Sequence, residues 1–270
     1  MSAPPATSAS AAGGARRRAA RLRIRFAKLG KVRWTSHRDV ARMWERAFRR
    51  ARLPLAYSQG FSPRPRVSFG LALPTGHESL AEYLDVELDG RCTEDLPGLA
   101  GRLSAALPGG VDVLVAALVD PETPSLQEEV TSCSWEWTAV DRDGAALDPG
   151  EMGERCSELL AGASLVLARW RKGREVTDDV REVVVDLQVV GPAAGAPGEP
   201  PGVRLRAELS CHPRSLRPSE LLSGLARGER LEERDARRLD QWISRGGARR
   251  EPLALPATAT PAPHAMERAS

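Results

Sequence analysis

The fold is decided mainly by residues 36–83, which read SHRDVARMWERAFRRARLPLAYSQGFSPRPRVSFGLALPTGHESLAEY. This stretch opens with Ser36 and, three residues later, Asp39, a pairing typical of a helix start of the capping-box type. Apolar residues then recur at spacings of three and four, which predicts one buried helix face. They are Val40, Met43, Trp44, Ala47, Phe48 and Ala51. Pro54 ends the helix, because proline lacks the backbone N–H that the helix needs.

Strands and a second helix flank this helix in the sequence. Leu22, Ile24 and Phe26 alternate with arginines, which predicts a half-buried strand with one basic face. Further strands are predicted at 67–71, 83–88 and 111–118, and a helix at 94–107. The order strand, helix, strand, strand, helix, strand is that of a ferredoxin-like unit.

The second half has a similar but weaker pattern. Strands are predicted at 131–140, 165–170, 180–190 and 203–210, and helices at 149–160, 219–226 and 231–243. We therefore predict an α+β fold with two ferredoxin-like units, antiparallel sheets with helices on one face, and disordered termini. The predicted boundaries are 1–19 for a disordered basic tail, 20–122 for the first unit, 123–248 for the second α+β unit and 249–270 for a disordered tail.

Composition narrows the class of protein. The chain has 270 residues and 41% hydrophobic content, enough for a sizeable core. It lacks an apolar run of membrane-spanning length and an apolar signal segment, so we expect a soluble cytoplasmic protein. The four cysteines are too scattered for a metal site or a disulfide framework, and we predict no cofactor. They are Cys92, Cys133, Cys156 and Cys211.

Positive charge is concentrated near the start of the chain. Residues 16–66 contain seventeen Lys or Arg and only two acids, Asp39 and Glu45, although the whole chain carries a net charge of only +3. A one-sided basic surface attracts polyanions, of which nucleic acid is the commonest. The predicted helix and the following loop supply the candidate nucleic-acid contacts. These are Arg38, Arg42, Arg46, Arg49, Tyr57, Phe61, Arg64 and Arg66. In that loop Gly60 permits a tight or positive-φ turn, a conformation costly for a residue with a Cβ, and the nearby prolines leave the segment little freedom.

A catalytic interpretation rests on three other residues. His37 lies beside the predicted helix start, and His77 and Glu78 lie in a predicted turn before a strand. Histidine and glutamate can act as general acid and base when they meet in one pocket. Catalysis would require that His37, His77 and Glu78 lie together in one pocket, and these three residues are weak catalytic candidates.

A longer set of motifs resembles a known family. The matching residues are Ser36-His37 with Asp39, Arg46-Ala47 with Arg50-Ala51 and Pro54, Tyr57-Ser58-Gln59-Gly60-Phe61 with Pro63 and Pro65, Leu73-Pro74, Gly76, Glu78-Ser79 and Glu82-Tyr83. This combination resembles the radical-SAM-linked domain family, a bacterial family of unknown function. Its members occur alone, or attached to or encoded beside a radical S-adenosylmethionine protein. Arg38 and Ser62 depart from the family pattern, where an apolar residue and an asparagine are usual.

Three functions remain open at this point. The leading hypothesis is a non-catalytic RNA-binding accessory protein that presents substrate to a radical S-adenosylmethionine enzyme, the partner that the resemblance implies. The second is an enzyme that acts on RNA or a small anionic substrate through His37, His77 and Glu78. The third is a protein-docking subunit whose arginine face meets an acidic partner rather than nucleic acid.

Overall fold

The computed structural model describes residues 20–89, 96–171 and 173–255. The strands are β1 (Ala20–Lys28), β2 (Val67–Phe69), β3 (Glu78–Leu88), β4 (Val111–Val119), β5 (Ser132–Asp141), β6 (Val166–Arg171), β7 (Arg174–Asp179), β8 (Val184–Ala193), β9 (Gly202–Ser210), β10 (Leu231–Arg245) and β11 (Ala248–Arg250). The α-helices are α1 (His37–Arg50), α2 (Leu96–Ala106), α3 (Leu126–Glu129), α4 (Pro149–Ala161) and α5 (Pro218–Leu225). Two short 3-10 helices cover Gly30–Trp34 and Arg181–Val183. The fold is therefore α+β, as predicted.

One large sheet runs through both halves of the chain. Its strand order is β4-β1-β3-β10-β5-β9-β8, with β2 also paired to β3 and β11 to β10, while β6 and β7 form a separate hairpin. Neighbouring strands are antiparallel except β3 and β10, which pair in parallel through Glu78 with Arg237 and Ser79 with Arg238. This short parallel pairing joins the two halves into one sheet.

The first half builds its core between the sheet and two helices. Every second residue of β1 points to the same face of the sheet, which buries Leu22, Ile24 and Phe26. The apolar stripe of α1 packs onto them, and the Trp44 ring meets Phe26 edge-on at 4.9 Å between centroids. The predicted helix and its buried side are confirmed here, since Val40, Trp44, Ala47 and Phe48 are its buried residues.

The second half forms a core of its own with β5, β9, α4 and α5. Trp135 and Trp137 of β5 belong to one buried cluster with Met152 of α4 and Leu221 of α5. The inward residues of β9 complete this cluster, because they alternate along the strand as those of β5 do.

The opposite face of β1 carries the predicted arginines, but it is buried as well, so the prediction of a half-buried strand is wrong. Arg23 and Arg25 are only 1% and 3% exposed. Arg23 pairs with Asp85 and Glu129, and Arg25 pairs with Asp240 and with Glu251 at 2.5 Å. A buried guanidinium requires such partners because desolvation of an isolated charge is costly. These arginines hold the fold together and do not extend a basic surface.

The predicted helix at 231–243 is wrong. These residues form most of β10, the central strand that pairs with β5 on one side and with β3 on the other. Asp235 has a φ of +54°, a left-handed conformation that an α-helix cannot contain. The register of β10 also shifts between Arg234 and Arg237, which hides the simple alternation of a strand.

The two predicted tails have different outcomes. The tail at 1–19 lies outside the described residues, as does 256–270. A disordered tail from residue 249 is wrong in its first part, because Arg249 and Arg250 belong to β11, Pro252 is buried and Leu253 packs against Tyr83. Among the described residues, none of the helices has the length and apolar character needed to cross a lipid bilayer.

Candidate nucleic-acid interface

Helix α1 is fixed at both ends and along one side. The Ser36 hydroxyl accepts a hydrogen bond from the Asp39 backbone N–H at 3.2 Å, which caps the helix N-terminus. At the other end, Ala51 N–H donates to the Ala47 carbonyl at 2.8 Å. Because the apolar side faces the core, the remaining side of the helix faces solvent.

The solvent-facing side of α1 carries the predicted arginines. Arg38, Arg42, Arg46 and Arg49 are all exposed, and Glu45 is an exposed acid on the same side. Their spacing of four, four and three residues places the four guanidinium groups along one stripe of the helix. We call this stripe the α1 arginine face.

The charges of this face are largely uncompensated. Arg42 meets the Asp39 carboxylate at 3.5 Å in a pair that is exposed on both sides. For Arg38, Arg46 and Arg49, no carboxylate of the described residues 20–89, 96–171 and 173–255 lies within ion-pair distance. The same holds for Arg52, just after the helix, and for Arg64. By contrast, the arginines of β1 are paired, so exposure and lack of a partner distinguish the arginines of α1 from those of β1.

A well-ordered loop follows the helix. Ser58 N–H donates to the Arg64 carbonyl at 2.9 Å, and Arg64 N–H donates to the Ser58 hydroxyl at 3.0 Å. Gly60 at the turn has a φ of +128°, as predicted for a position that is unfavourable for residues with a Cβ. The hydrogen bonds therefore define the loop before any ligand binds.

Aromatic and basic side chains project from this loop. Phe61 is fully exposed and Tyr57 is 48% exposed, so neither is a core residue. Arg64 is exposed, whereas Arg66 donates to the Glu87 carboxylate at 2.9 Å. An exposed aromatic ring beside a free guanidinium can stack on a base and hold a phosphate.

The three candidate catalytic residues do not all line the same cavity. His37 is exposed, contacts the Phe69 ring edge-on and lines a cavity. His77 is buried, with its Nε2 3.1 Å from a carboxylate oxygen of Glu233. Neither His77 nor Glu78 is among the residues that line this cavity.

Glu78 is fully engaged in the structure of the protein. One carboxylate oxygen accepts the Gly30 N–H at 2.7 Å, and the other accepts from Arg237 at 2.6 Å. Both carboxylate oxygens of Glu78 are therefore occupied by donors, at the junction of β3 and β10.

The sequence did not predict the cavity that His37 lines. It measures about 460 Å³ and lies between the 71–75 segment and the second half of the chain. Cys133, Cys211, Trp135 and Arg238 contribute to its wall. Cys133 and Cys211 were too far apart in sequence to be recognised as a pair, because only the register of β5 and β9 brings them together.

The two thiols interact directly. Their sulfur atoms lie 3.8 Å apart in a hydrogen bond. The hydrogen bond with Cys133 lowers the pKa of Cys211, and the positive charge of Arg238 acts in the same direction. The same hydrogen bond, together with burial, raises the pKa of Cys133. Within the described residues there is no group of three or more His, Cys, Asp or Glu side chains suited to hold a metal ion.

Comparisons with known proteins identify the family to which this chain belongs. Among solved structures, the chain is similar to a chain of a Cbf5-Nop10-Gar1 complex, with 11% sequence identity and a TM-score of 0.42. The similarity covers 84% of this chain and 50% of that chain, so this protein spans about half of its length. The curated proteins contain no match. A family model described as uncharacterized protein conserved in bacteria, DUF2344, matches residues 21–218, well over half of the chain, and the protein therefore belongs to this family.

Proposed function

We propose that this protein is a non-catalytic RNA-binding accessory protein and that it presents substrate to a radical S-adenosylmethionine enzyme in the cytoplasm. The observation that carries the RNA part is the α1 arginine face, whose guanidinium groups are exposed and mostly unpaired. Unpaired surface arginines attract phosphates without sequence preference, and they do so most strongly at low salt. The enzyme partner rests on the resemblance to the radical-SAM-linked domain family.

The loop at 57–66 supports the same proposal. Its hydrogen bonds fix it before binding, so little conformational entropy is lost when Phe61 and Arg64 engage a ligand. Flexible single-stranded RNA offers unstacked bases to an exposed ring such as Phe61. The favoured ligand is therefore single-stranded RNA, held by its phosphates on α1 and by a base on the loop.

The arrangement of strands and helices leaves one side of α1 available for a ligand. We infer that each half is a ferredoxin-like unit, because the order β4-β1-β3-β2 in the first half corresponds to β10-β5-β9-β8 in the second. The hairpin β6–β7 is then an insertion between α4 and β8. In each unit the helices cover one face of the sheet, which leaves the outer side of α1 free for a ligand.

The test measures RNA affinity against salt. Fluorescence anisotropy with a labelled single-stranded RNA should give a log Kd that rises steeply with log salt, with a slope of about 0.7 per phosphate contact. Changing Arg42, Arg46 and Arg49 together to Glu should abolish binding while the circular dichroism spectrum stays unchanged.

A matched control separates this effect from net charge. Arg174, Arg204 and Arg217 are exposed, lie in the second half and form no ion pair with the described residues, and their triple change to Glu alters net charge equally. This control should retain most of the affinity. If wild type does not bind RNA at low salt, or if both triple variants bind equally, the RNA proposal is wrong and an acidic protein becomes the better ligand.

The partner is tested separately. A tagged copy expressed in its native bacterium should retain a protein that mass spectrometry identifies as a radical S-adenosylmethionine enzyme. Retention should persist after ribonuclease treatment if the two proteins contact each other directly. Loss of the enzyme under every condition would contradict the partner and leave the RNA proposal unaffected.

A further inference from the structure

Two cysteines on neighbouring strands form a close pair. Cys133 lies in β5, and Cys211 follows directly after the end of β9. Cys211 N–H donates to the Thr131 carbonyl at 2.8 Å, which continues the β5–β9 pairing by one step. The strand register therefore holds the two sulfur atoms 3.8 Å apart. No disulfide joins them, since both cysteines are free.

The pair is accessible from a cavity large enough for a small molecule. Both cysteines line the cavity of about 460 Å³, and Cys211 is only partly buried. Ligand pockets of a few hundred cubic ångströms are typical of small-molecule sites. Cys133 is only 3% exposed and is therefore less accessible than Cys211. A molecule that enters the cavity contacts Cys211 first.

A fixed positive charge completes the site. Arg238 donates to Glu82 at 2.9 Å and to the carbonyls of Leu71 and Ala72, and its guanidinium lies 4.9 Å from the Trp135 ring centroid. Its buried Nε has no hydrogen-bond partner in the described structure. This guanidinium is paired with Glu82 and still stabilises the neighbouring Cys211 thiolate, whereas the exposed Arg217, which also lines the cavity, attracts an anionic ligand.

We propose that Cys211 and Cys133 form a redox-active dithiol that exchanges with a small anionic disulfide bound in this cavity. The Cys211 thiolate attacks one sulfur of the disulfide RSSR, forms the mixed disulfide Cys211–S–SR and releases RS⁻. Cys133 then gives its proton to the released RS⁻ and attacks the Cys211 sulfur. This second step forms the Cys133–Cys211 disulfide and releases the second RS⁻. Two cysteine thiols are oxidised and one small disulfide is reduced to two thiols.

Cys156 provides an internal contrast. It is also buried, but burial alone raises its pKa to about 11, and it has no neighbouring thiol in the described structure. Cys156 should therefore react slowly. The comparison sets an accessible thiol that has a neighbouring thiol and a nearby guanidinium against a buried thiol that lines no part of this cavity.

The experiment follows the reaction of the full chain with oxidised glutathione. All proteins carry Cys92→Ser, because Cys92 lies outside the described residues and would confuse the thiol count. Intact mass spectrometry and the release of reduced glutathione are measured together. We expect two equivalents of reduced glutathione and a Cys133–Cys211 disulfide, with Cys211 reacting at least about tenfold faster than Cys156.

Two variants separate the steps. Cys133→Ala should stop at the mixed disulfide on Cys211 after one equivalent, and more slowly than wild type because the activating hydrogen bond is missing. Cys211→Ala should release reduced glutathione only at the slow rate of Cys156 and should form no Cys133-containing disulfide. Near-ultraviolet circular dichroism verifies that each variant is folded, and Cys133→Ser replaces Cys133→Ala if alanine unfolds the protein. Equal rates at Cys211 and Cys156, or no reaction of the folded wild type, would overturn the proposal.

Discussion

Arg23 and Asp85 form a two-pronged ion pair inside the protein, with Nε to Oδ1 at 2.8 Å and the second guanidinium nitrogen to Oδ2 at 3.0 Å. The two residues face each other across β1 and β3. Glu129 of α3 supplies a second carboxylate at 3.1 Å. This cluster explains why a strand rich in arginine can lie in the middle of a sheet.

The first prediction concerns this cluster. Arg23→Met should lower the free energy of unfolding by about 3–5 kcal/mol, because Asp85 and Glu129 would remain buried without a cation. Urea unfolding at neutral pH measures this change. The control Arg38→Met removes an exposed, unpaired arginine and should change stability by less than about 0.5 kcal/mol. Equal effects of the two variants would contradict the assignment of different roles.

The second prediction separates binding from folding in the loop at 57–66. Arg64→Ala and Phe61→Ala should both weaken RNA binding with little change in melting temperature, because both side chains are exposed. Gly60→Val should lower both the RNA affinity and the melting temperature, because valine at a φ of +128° costs about 1–3 kcal/mol of folding free energy. The added side chain would not clash, as open space surrounds this position, so the cost is conformational. A stable Gly60→Val variant would refute this explanation.

The third prediction concerns the cap of α1. Ser36→Ala removes the hydroxyl that accepts from Asp39 N–H and should lower stability by about 1 kcal/mol. RNA affinity should be almost unchanged, because Ser36 carries no positive charge and the arginines remain on a folded helix. Thermal melting and anisotropy report the two effects separately. A large loss of affinity with full stability would indicate that Ser36 itself contacts the ligand.

The fourth prediction concerns pH. Hydrogen bonds from Arg155 lower the pKa of Glu229 in the folded protein. A lowered folded pKa means that this stabilisation is present above the unfolded pKa, near 4.3, and is lost as pH falls through the folded value. The melting temperature of Glu229→Gln should therefore lie below wild type at about pH 7, and this gap should narrow towards about pH 3. Glu232→Gln removes an exposed pair with Arg142 and should have little effect.

Local patterns predicted most of the elements correctly. Helix α1 was predictable because its cap, its apolar stripe and its terminating proline all lie within nineteen consecutive residues, 36–54. The conformation of Gly60 was predictable for the same reason, since the neighbouring prolines restrict the loop. Local conformation, such as a helix cap or a tight turn, depends on residues only a few positions apart, and sequence spacing therefore predicts it.

The errors have a common physical cause. The sequence of β10 is rich in Leu, Glu and Arg, which favour helices, but pairing with two neighbouring strands outweighs this local preference. The arginines of β1 appeared to form a surface because their acidic partners are distant in sequence, with Asp85 and Glu251 as examples. The Cys133–Cys211 pair depends on strand register in the same way.

The parallel pairing of β3 with β10 determines which pieces of this protein can exist alone. A fragment that ends near residue 122 would lack Arg237 and Arg238, the partners of Glu78 and Glu82. The carboxylates of Glu78 and Glu82 would then lose these partners, and the edge of β3 would be exposed. An unpaired strand edge promotes aggregation. The chain should therefore be produced and crystallised as a whole, and a gene split between its halves should yield soluble protein only when both pieces are co-expressed.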